Sequence, residues 1–75
     1  MYRYLVVIEQ TPRNYSAYSP DLPGCIAMGK TREQTAEKMH AAIIFHLQGL
    51  VEDGEPIPPS RSSAEYVAIL PESTV

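Results

Sequence analysis

The chain has 75 residues, 44% of them hydrophobic and 20% charged, which is the composition of one small globular domain. Its formal net charge is −3 and its basic residues are scattered, so it lacks the basic patch typical of nucleic-acid-binding proteins. The single cysteine excludes an internal disulfide and zinc sites of four cysteines or of two cysteines and two histidines. The sequence shows no apolar run that could span a bilayer and no signal peptide, which with the unpaired cysteine predicts a cytoplasmic protein.

Three short strands are predicted in the first half of the chain. The β-branched and aromatic residues at 2–9 predict the first strand, and the alternation at 15–19 predicts a second strand that forms a hairpin with it. A third strand is predicted at 25–29. Two prolines make residues 20–24 a rigid loop, because proline fixes φ and lacks an N–H donor.

One long helix is predicted over Arg32–Glu52. Thr31 and Gln34 form a capping-box pattern at its start, and Gly54 supplies the left-handed conformation that ends it. An apolar stripe runs along one side of this helix and consists of Ala36, Met39, Ile43, Leu47 and Leu50. Ile44, Phe45 and Val51 lie outside the stripe.

The element order predicts an α+β fold. A stiff proline-rich connector at 55–60 follows the helix, and residues 65–70 predict a last strand. The resulting order is β-β-β-α-β. A right-handed crossover would place the last strand parallel to the first, giving a four-stranded sheet in the order 3-2-1-4 with one helix on one face.

The first strand is apolar on both of its sides. Tyr4, Val6 and Ile8 point one way, whereas Leu5 and Val7 point the other. Because one helix covers only one face of the sheet, the second apolar face must meet a copy of the chain or another protein. We therefore predict an interaction module that forms a homo-oligomer, either a dimer or a tetramer.

The residues suited to chemistry do not form a catalytic pattern. His40 and His46 are six residues apart, which is not the i, i+4 spacing of a helical metal pair, and Cys25 has no base that can be placed beside it. Glu9 and Asp21 could form a two-carboxylate metal site, or could be a solvated strand end and a turn cap. We predict no enzyme, no cofactor and no metal site.

Residues 24–31 (GCIAMGKT) match the phosphate-loop expression GxxxxGK[ST]. A working phosphate loop bends through its intermediate residues to wrap the phosphates, whereas those residues here are apolar and strand-like. Thr31 is also needed as the helix cap. We interpret the match as chance.

Four segments resemble the HicB antitoxin family: residues 18–25 (YSPDLPGC), 29–31 (GKT), 42–50 (AIIFHLQGL) and 54–58 (GEPIP). The resemblance covers about residues 2–70. It implies a partial ribonuclease-H-like β-β-β-α-β fold and a partner of the HicA type, a small basic toxin with a double-stranded-RNA-binding-like fold that cleaves mRNA. Family members typically carry a C-terminal DNA-binding domain. Here we expect a single domain at 1–75 without one, and no nucleic-acid binding.

The function predicted from this resemblance is that of an antitoxin-like interaction module that binds and occludes a HicA-type toxin. The candidate partner-binding residues are Asp21, Leu22, Ile44, Phe45 and Val51. The loop that carries Asp21 and Leu22 is either part of the partner surface or a packed turn that redirects the chain. The alternatives are a vestigial metal-dependent nuclease and an orphan domain that only self-associates.

Overall fold

Three antiparallel strands and one long helix form the fold of residues 2–74, which the computed structural model describes. The strands are β1 (Val7–Gln10), β2 (Tyr15–Tyr18) and β3 (Ile26–Gly29), and the helix is α1 (Arg32–Glu52). A short 3-10 helix follows at Pro71–Thr74. The α+β class, the presence of three strands before the helix and the bounds of the long helix are confirmed, whereas the first strand begins at Val7 and not at residue 2, because pairing with β2 begins there.

The sheet has the order β1-β2-β3, so β2 lies in the middle. Val7 of β1 is opposite Tyr18 of β2, and Tyr18 is opposite Ile26 of β3. Thr11 and Asn14 close the first hairpin, because the Thr11 N–H donates to the Asn14 carbonyl at 2.8 Å. The outer edge of β1 has no neighbouring strand among the described residues.

The helix begins and ends with the caps that the sequence predicts. The hydroxyl of Thr31 accepts a hydrogen bond from the Gln34 N–H at 3.0 Å, and the Gln34 amide oxygen accepts one from the Lys30 N–H at 2.7 Å. At the other end Gly54 has a φ of +70°, the left-handed conformation that stops a helix at low cost. The helix is therefore defined by local signals at both ends.

One face of the sheet packs against the helix. The buried centre of this core consists of Ala17, Leu22, Cys25 and Met39. Half-buried apolar residues surround it: Tyr4, Val6, Ile8, Ala27, Ala42, Ile43 and Leu47. The prediction of a single helix on one face of the sheet is confirmed, and the structure shows that Tyr4, Val6 and Ile8 are on the side of the first strand that faces it.

The predicted four-stranded sheet in the order 3-2-1-4 is wrong. Residues 65–70, here called the C-terminal arm, form no strand and are exposed along their whole length. The chain measures 53 × 28 × 19 Å and has a radius of gyration of 15.4 Å. A compact domain of this length has a radius of gyration of about 11 Å. A β-strand is stable only when its backbone forms hydrogen bonds with a neighbouring strand. The arm has a strand-forming sequence but no such neighbour among the described residues, so it does not form a strand.

Candidate protein-binding site

The loop before β3 turns inward, which decides the position of Leu22. The Leu22 N–H donates to the Ser19 carbonyl at 3.1 Å, and the Cys25 N–H donates to the Leu22 carbonyl at 3.1 Å. These two tight turns direct the Leu22 side chain into the core, where it is 1% exposed. We therefore leave Leu22 out of the partner surface proposed below, and the packed-turn interpretation of the loop is the one that fits the geometry.

Asp21 lies in the same loop and binds the segment that follows the helix, and from here on we use the name connector for residues 55–62. One carboxylate oxygen accepts hydrogen bonds from the Arg61 N–H at 2.8 Å and the Ser62 N–H at 2.9 Å. The other accepts the Ser62 hydroxyl at 3.0 Å. The pKa of Asp21 is lowered, first by the Ser62 N–H and then by that of Arg61, because both hydrogen bonds favour the charged form. This carboxylate therefore joins two distant segments of the chain.

Tyr4 is a second anchor of the connector, and no pattern in the sequence indicates this role. Its hydroxyl donates a hydrogen bond to the Pro58 carbonyl at 2.6 Å. The pKa of Tyr4 is raised, mainly by burial and further by Tyr2 and Asp21, so the hydroxyl stays protonated and remains a donor. Tyr4 and Asp21 together hold the connector against the sheet.

The predicted residues of the helix are exposed apolar side chains on two flanks of it, with Phe45 on the flank facing the start of β3 and Ile44 and Val51 on the other. Ile44, Phe45 and Val51 are all exposed, and Phe45 most of all at 79%. Phe45 also borders a groove of about 440 Å³ that runs between the helix and the start of β3, beside Ile26 and Leu50. We call Ile44, Phe45 and Val51 the helix patch. Exposed apolar groups of this size are typical of a surface that another protein covers.

Carboxylates gather at the end of the helix beside this patch. Glu52, Asp53 and Glu55 are exposed, and residues 39–60 contain no lysine or arginine. The carbonyl end of the helix adds a partial negative charge, and its last turn has no basic residue to offset it. We call Glu52, Asp53 and Glu55 the acidic rim. The helix patch is thus an apolar surface in a negative field, which suits a basic partner.

Of the residues considered for chemistry, Cys25 and His46 line the same groove between the helix and the start of β3, which Asp53 also borders. The described residues contain no group of three histidine, cysteine or carboxylate side chains that could hold a metal ion. Cys25 is buried, and burial raises the pKa of its thiol, which makes a reactive thiolate harder to form. Of the two carboxylates considered for a metal, Glu9 is exposed and Asp21 is engaged by the connector.

The phosphate-loop match has strand geometry instead of a loop. Ile26–Gly29 forms β3 and pairs with β2, and the Thr31 hydroxyl caps the helix. A backbone extended in this way does not wrap a phosphate. In the described part of the chain, no helix combines the length and the apolar character needed to cross a membrane.

The fold and this surface define a small α+β interaction module. The family model described as the HicB-like antitoxin of bacterial toxin-antitoxin systems matches residues 4–73, and the chain belongs to this family. The resemblance seen in the sequence is therefore confirmed. Membership in a family of antitoxins also confirms the prediction that the chain is not an enzyme.

The chain is also similar to individual proteins and to a solved structure. An uncharacterized 14.9 kDa protein of Haemophilus phage HP1 is 34% identical over 85% of this chain, which spans only 48% of the phage protein. A UPF0150 protein of Synechocystis is 28% identical over 93% of this chain and 90% of its own length. Among solved structures, a chain of the HicA3 and HicB3 toxin-antitoxin complex superposes with a TM-score of 0.67 at 28% identity. That match covers 79% of this chain and 70% of the other.

Proposed function

We propose that residues 2–74 act as a single antitoxin module that binds and occludes a small, basic, mRNA-cleaving toxin of the HicA type through the helix patch. The observation that carries the proposal is Phe45, an aromatic side chain that is 79% exposed beside the acidic rim. Aromatic residues in the centre of an interface contribute a large share of its binding energy. The toxin-antitoxin complex among the structural relatives supports a toxin as the partner.

The two parts of the surface have different roles in this proposal. The acidic rim attracts a basic toxin from a distance and orients it, which raises the rate of association. The apolar side chains of the helix patch are then buried against the toxin, and this burial slows dissociation of the complex. Occlusion needs no catalytic group, and the buried thiol of Cys25, whose pKa is raised by burial, is a poor nucleophile.

We further propose that the chain is a homo-oligomer in the cytoplasm. A toxin that cleaves mRNA acts where mRNA is translated, and the free thiol of Cys25 suits a reducing compartment. Self-association is supported by the sheet face that the helix leaves open, where Tyr18, Ile26 and Met28 are exposed. Tyr18 and Met28 of this face lie outside the groove that Phe45 borders, whereas Ile26 lines it.

Co-expression with the HicA-type toxin encoded beside the gene tests the proposal, with the HicA3 toxin as the probe if the genome encodes none there. We expect the chain to restore growth and to co-purify with the toxin. Phe45→Ala should weaken the complex by at least about tenfold, because truncating a buried aromatic anchor costs about 2 kcal/mol or more.

Met28→Ala is the matched control, because Met28 is also apolar and is 52% exposed, but on the open face of the sheet. It should leave toxin affinity unchanged. Toxin that stays active beside a folded, abundant antitoxin chain would contradict the proposed function. A complex weakened by Met28→Ala and not by Phe45→Ala would instead place the toxin on the sheet.

A further inference from the structure

The C-terminal arm is the largest exposed apolar segment of the described chain. Tyr66 is fully exposed, and more than 60% of each of Val67, Ile69 and Leu70 is exposed. Residues 66–70 carry no charge. No main-chain hydrogen bond joins the arm to β1 within residues 2–74. Exposing an apolar segment of this size to water is unfavourable, which indicates that another surface covers it.

The root of the arm is held beside the open edge of the sheet. Asp21 fixes Arg61 and Ser62, and residues 60–64 run alongside residues 3–5. A groove of about 440 Å³ then separates Ala64–Tyr66 from residues 5–8 at the edge of β1. The arm leaves the domain from this point. The free edge of β1 and the free arm are therefore two unpaired β-forming segments of one chain.

The total surface shows how much area remains to be covered. The chain exposes 6286 Å², whereas a compact monomer of 8.3 kDa exposes about 4,600 Å². The excess is about 1,700 Å² per chain, and a standard protein interface buries about 800 Å² per partner. If two copies covered this excess on each other, the buried area would fall in the range of obligate dimers.

We propose that two copies of the chain exchange their C-terminal arms, and that the arm of each copy adds a strand to the outer edge of β1 of the other. This inference rests on the proposed homo-oligomer and names its contact, and it is independent of the proposed toxin binding. A second copy fits better than a basic toxin, because both residues 66–70 of the arm and residues 4–8 are uncharged and largely apolar. Each copy carries both halves of the contact, which is the requirement for a closed two-fold dimer. The exchange supplies the fourth strand that a single chain lacks.

The first experiment measures the mass of the full-length chain by light scattering during gel filtration. We expect a dimer at micromolar concentration. Ile69→Asp should raise the dimer dissociation constant by more than about 100-fold, because both arms of the dimer would bury an unpaired charge. Ser63→Asp adds the same charge at the exposed root of the arm and should leave the dimer intact. A wild-type monomer, or an equal effect of the two variants, would overturn the proposal.

The second experiment locates the arm. Both kinds of chain carry Cys25→Ala, so that each has a single cysteine. Chains with Glu9→Cys are mixed with chains that carry Val67→Cys and a tag that changes their length, so that a mixed product can be recognised by its size. A short bismaleimide cross-linker is then added. We expect a covalent product of one chain of each kind. A chain carrying both cysteines that cross-links only within itself would show that the arm folds back on its own sheet. A dimer without the mixed product would show that the arm lies elsewhere, and either result refutes the exchange.

The toxin is the remaining candidate for the partner that the arm contacts. If Ile69→Asp abolished toxin binding and left the dimer intact, the arm would contact the toxin and the proposal would be wrong. Phe45→Ala should leave the dimer unchanged, because Phe45 lies on the helix and outside both the arm and β1. The two proposals therefore fail in different measurements.

Discussion

Asp21 and Ser62 are joined by two hydrogen bonds across 41 residues of sequence, at 2.9 Å from the Ser62 N–H and 3.0 Å from its hydroxyl. The contact connects the loop before β3 to the connector after the helix. It also fixes the point from which the C-terminal arm leaves the domain. A carboxylate in a proline-rich loop thus holds together two segments that are distant in sequence.

Replacing Asp21 by Asn should lower the melting temperature by a few degrees at neutral pH, because an amide NH₂ cannot accept the hydrogen bonds that the carboxylate accepts. The pKa of Asp21 is lowered from 3.8 in the folded chain, so its stabilising effect is present above 3.8 and is lost as the pH falls through the lower folded value. The difference between wild type and Asp21→Asn should therefore shrink in acid.

Thermal melts by circular dichroism across this pH range measure the effect. Glu37→Gln is the matched control, since Glu37 is a carboxylate on the exposed surface of the helix. Its melting temperature should follow that of the wild type at each pH. A difference for Asp21→Asn that stayed constant down to the acid limit would show that the charge of Asp21 does not contribute.

Replacing Tyr4 by Phe should destabilise the chain by about 1 kcal/mol, the usual contribution of one hydrogen bond. The variant loses the 2.6 Å bond to the Pro58 carbonyl and keeps the half-buried ring. Because the pKa of Tyr4 is raised above 10.0, the wild type should keep this contribution below pH 10.0 and lose it progressively as the pH rises from 10.0 through the higher folded value. Urea unfolding measures the difference, with Tyr2→Phe at an exposed position as the control. Equal stability of wild type and Tyr4→Phe would refute the anchoring role.

Two glycines give opposite predictions for the same substitution. A Cβ on Gly29 would lie 2.7 Å from the Thr35 hydroxyl oxygen and 3.0 Å from its main-chain nitrogen, so Gly29→Ala should cost about 1–3 kcal/mol. A Cβ on Gly49, inside the helix, would meet nothing within 4 Å, and Gly49→Ala should stabilise by about 0.5–1 kcal/mol. Urea unfolding of both variants separates crowding from helix propensity. A destabilised Gly49→Ala would show that this part of the helix is more crowded than the structure describes.

The helix was predictable because its signals are local. Thr31, Gln34 and Gly54 specify its ends within a few residues, and its apolar stripe specifies the side that faces the sheet. The hairpin of β1 and β2 follows from a short turn between two strand-forming runs. The exposure of the helix patch was likewise expected, because Ile44, Phe45 and Val51 lie outside the stripe.

The contacts that the sequence did not predict are all long-range. Asp21 beside proline suggested a turn cap or a partner contact, and nothing near it in sequence indicated Ser62 as its partner. Leu22 was placed on the partner surface because the loop was expected to be rigid, but the two turns that make it rigid also direct Leu22 inward. The last strand was predicted from composition, yet pairing depends on a neighbour that composition does not specify.

Charge in the acidic rim should control how fast the toxin binds. Glu52→Gln, Asp53→Asn and Glu55→Gln combined remove three negative charges next to the helix patch without removing apolar surface. The association rate at low salt should fall by about tenfold, because steering by complementary charges raises that rate by one or more orders of magnitude. The dissociation rate should change much less, since it depends on the buried contact of Phe45. Surface plasmon resonance with immobilised toxin measures both rates.

The salt dependence of the association rate separates steering from a direct contact. The rate for the wild type should fall as added salt shortens the screening length below about 10 Å, its value at 0.1 M, and the triple variant should be nearly insensitive to salt. Glu33→Gln with Glu37→Gln is the control, because these carboxylates lie in the first half of the helix, away from the patch. If this pair slowed association as much as the triple variant, the association rate would depend on the net charge of the chain and not on the position of the acidic rim. If the triple variant instead changed only dissociation, the rim would be part of the buried interface.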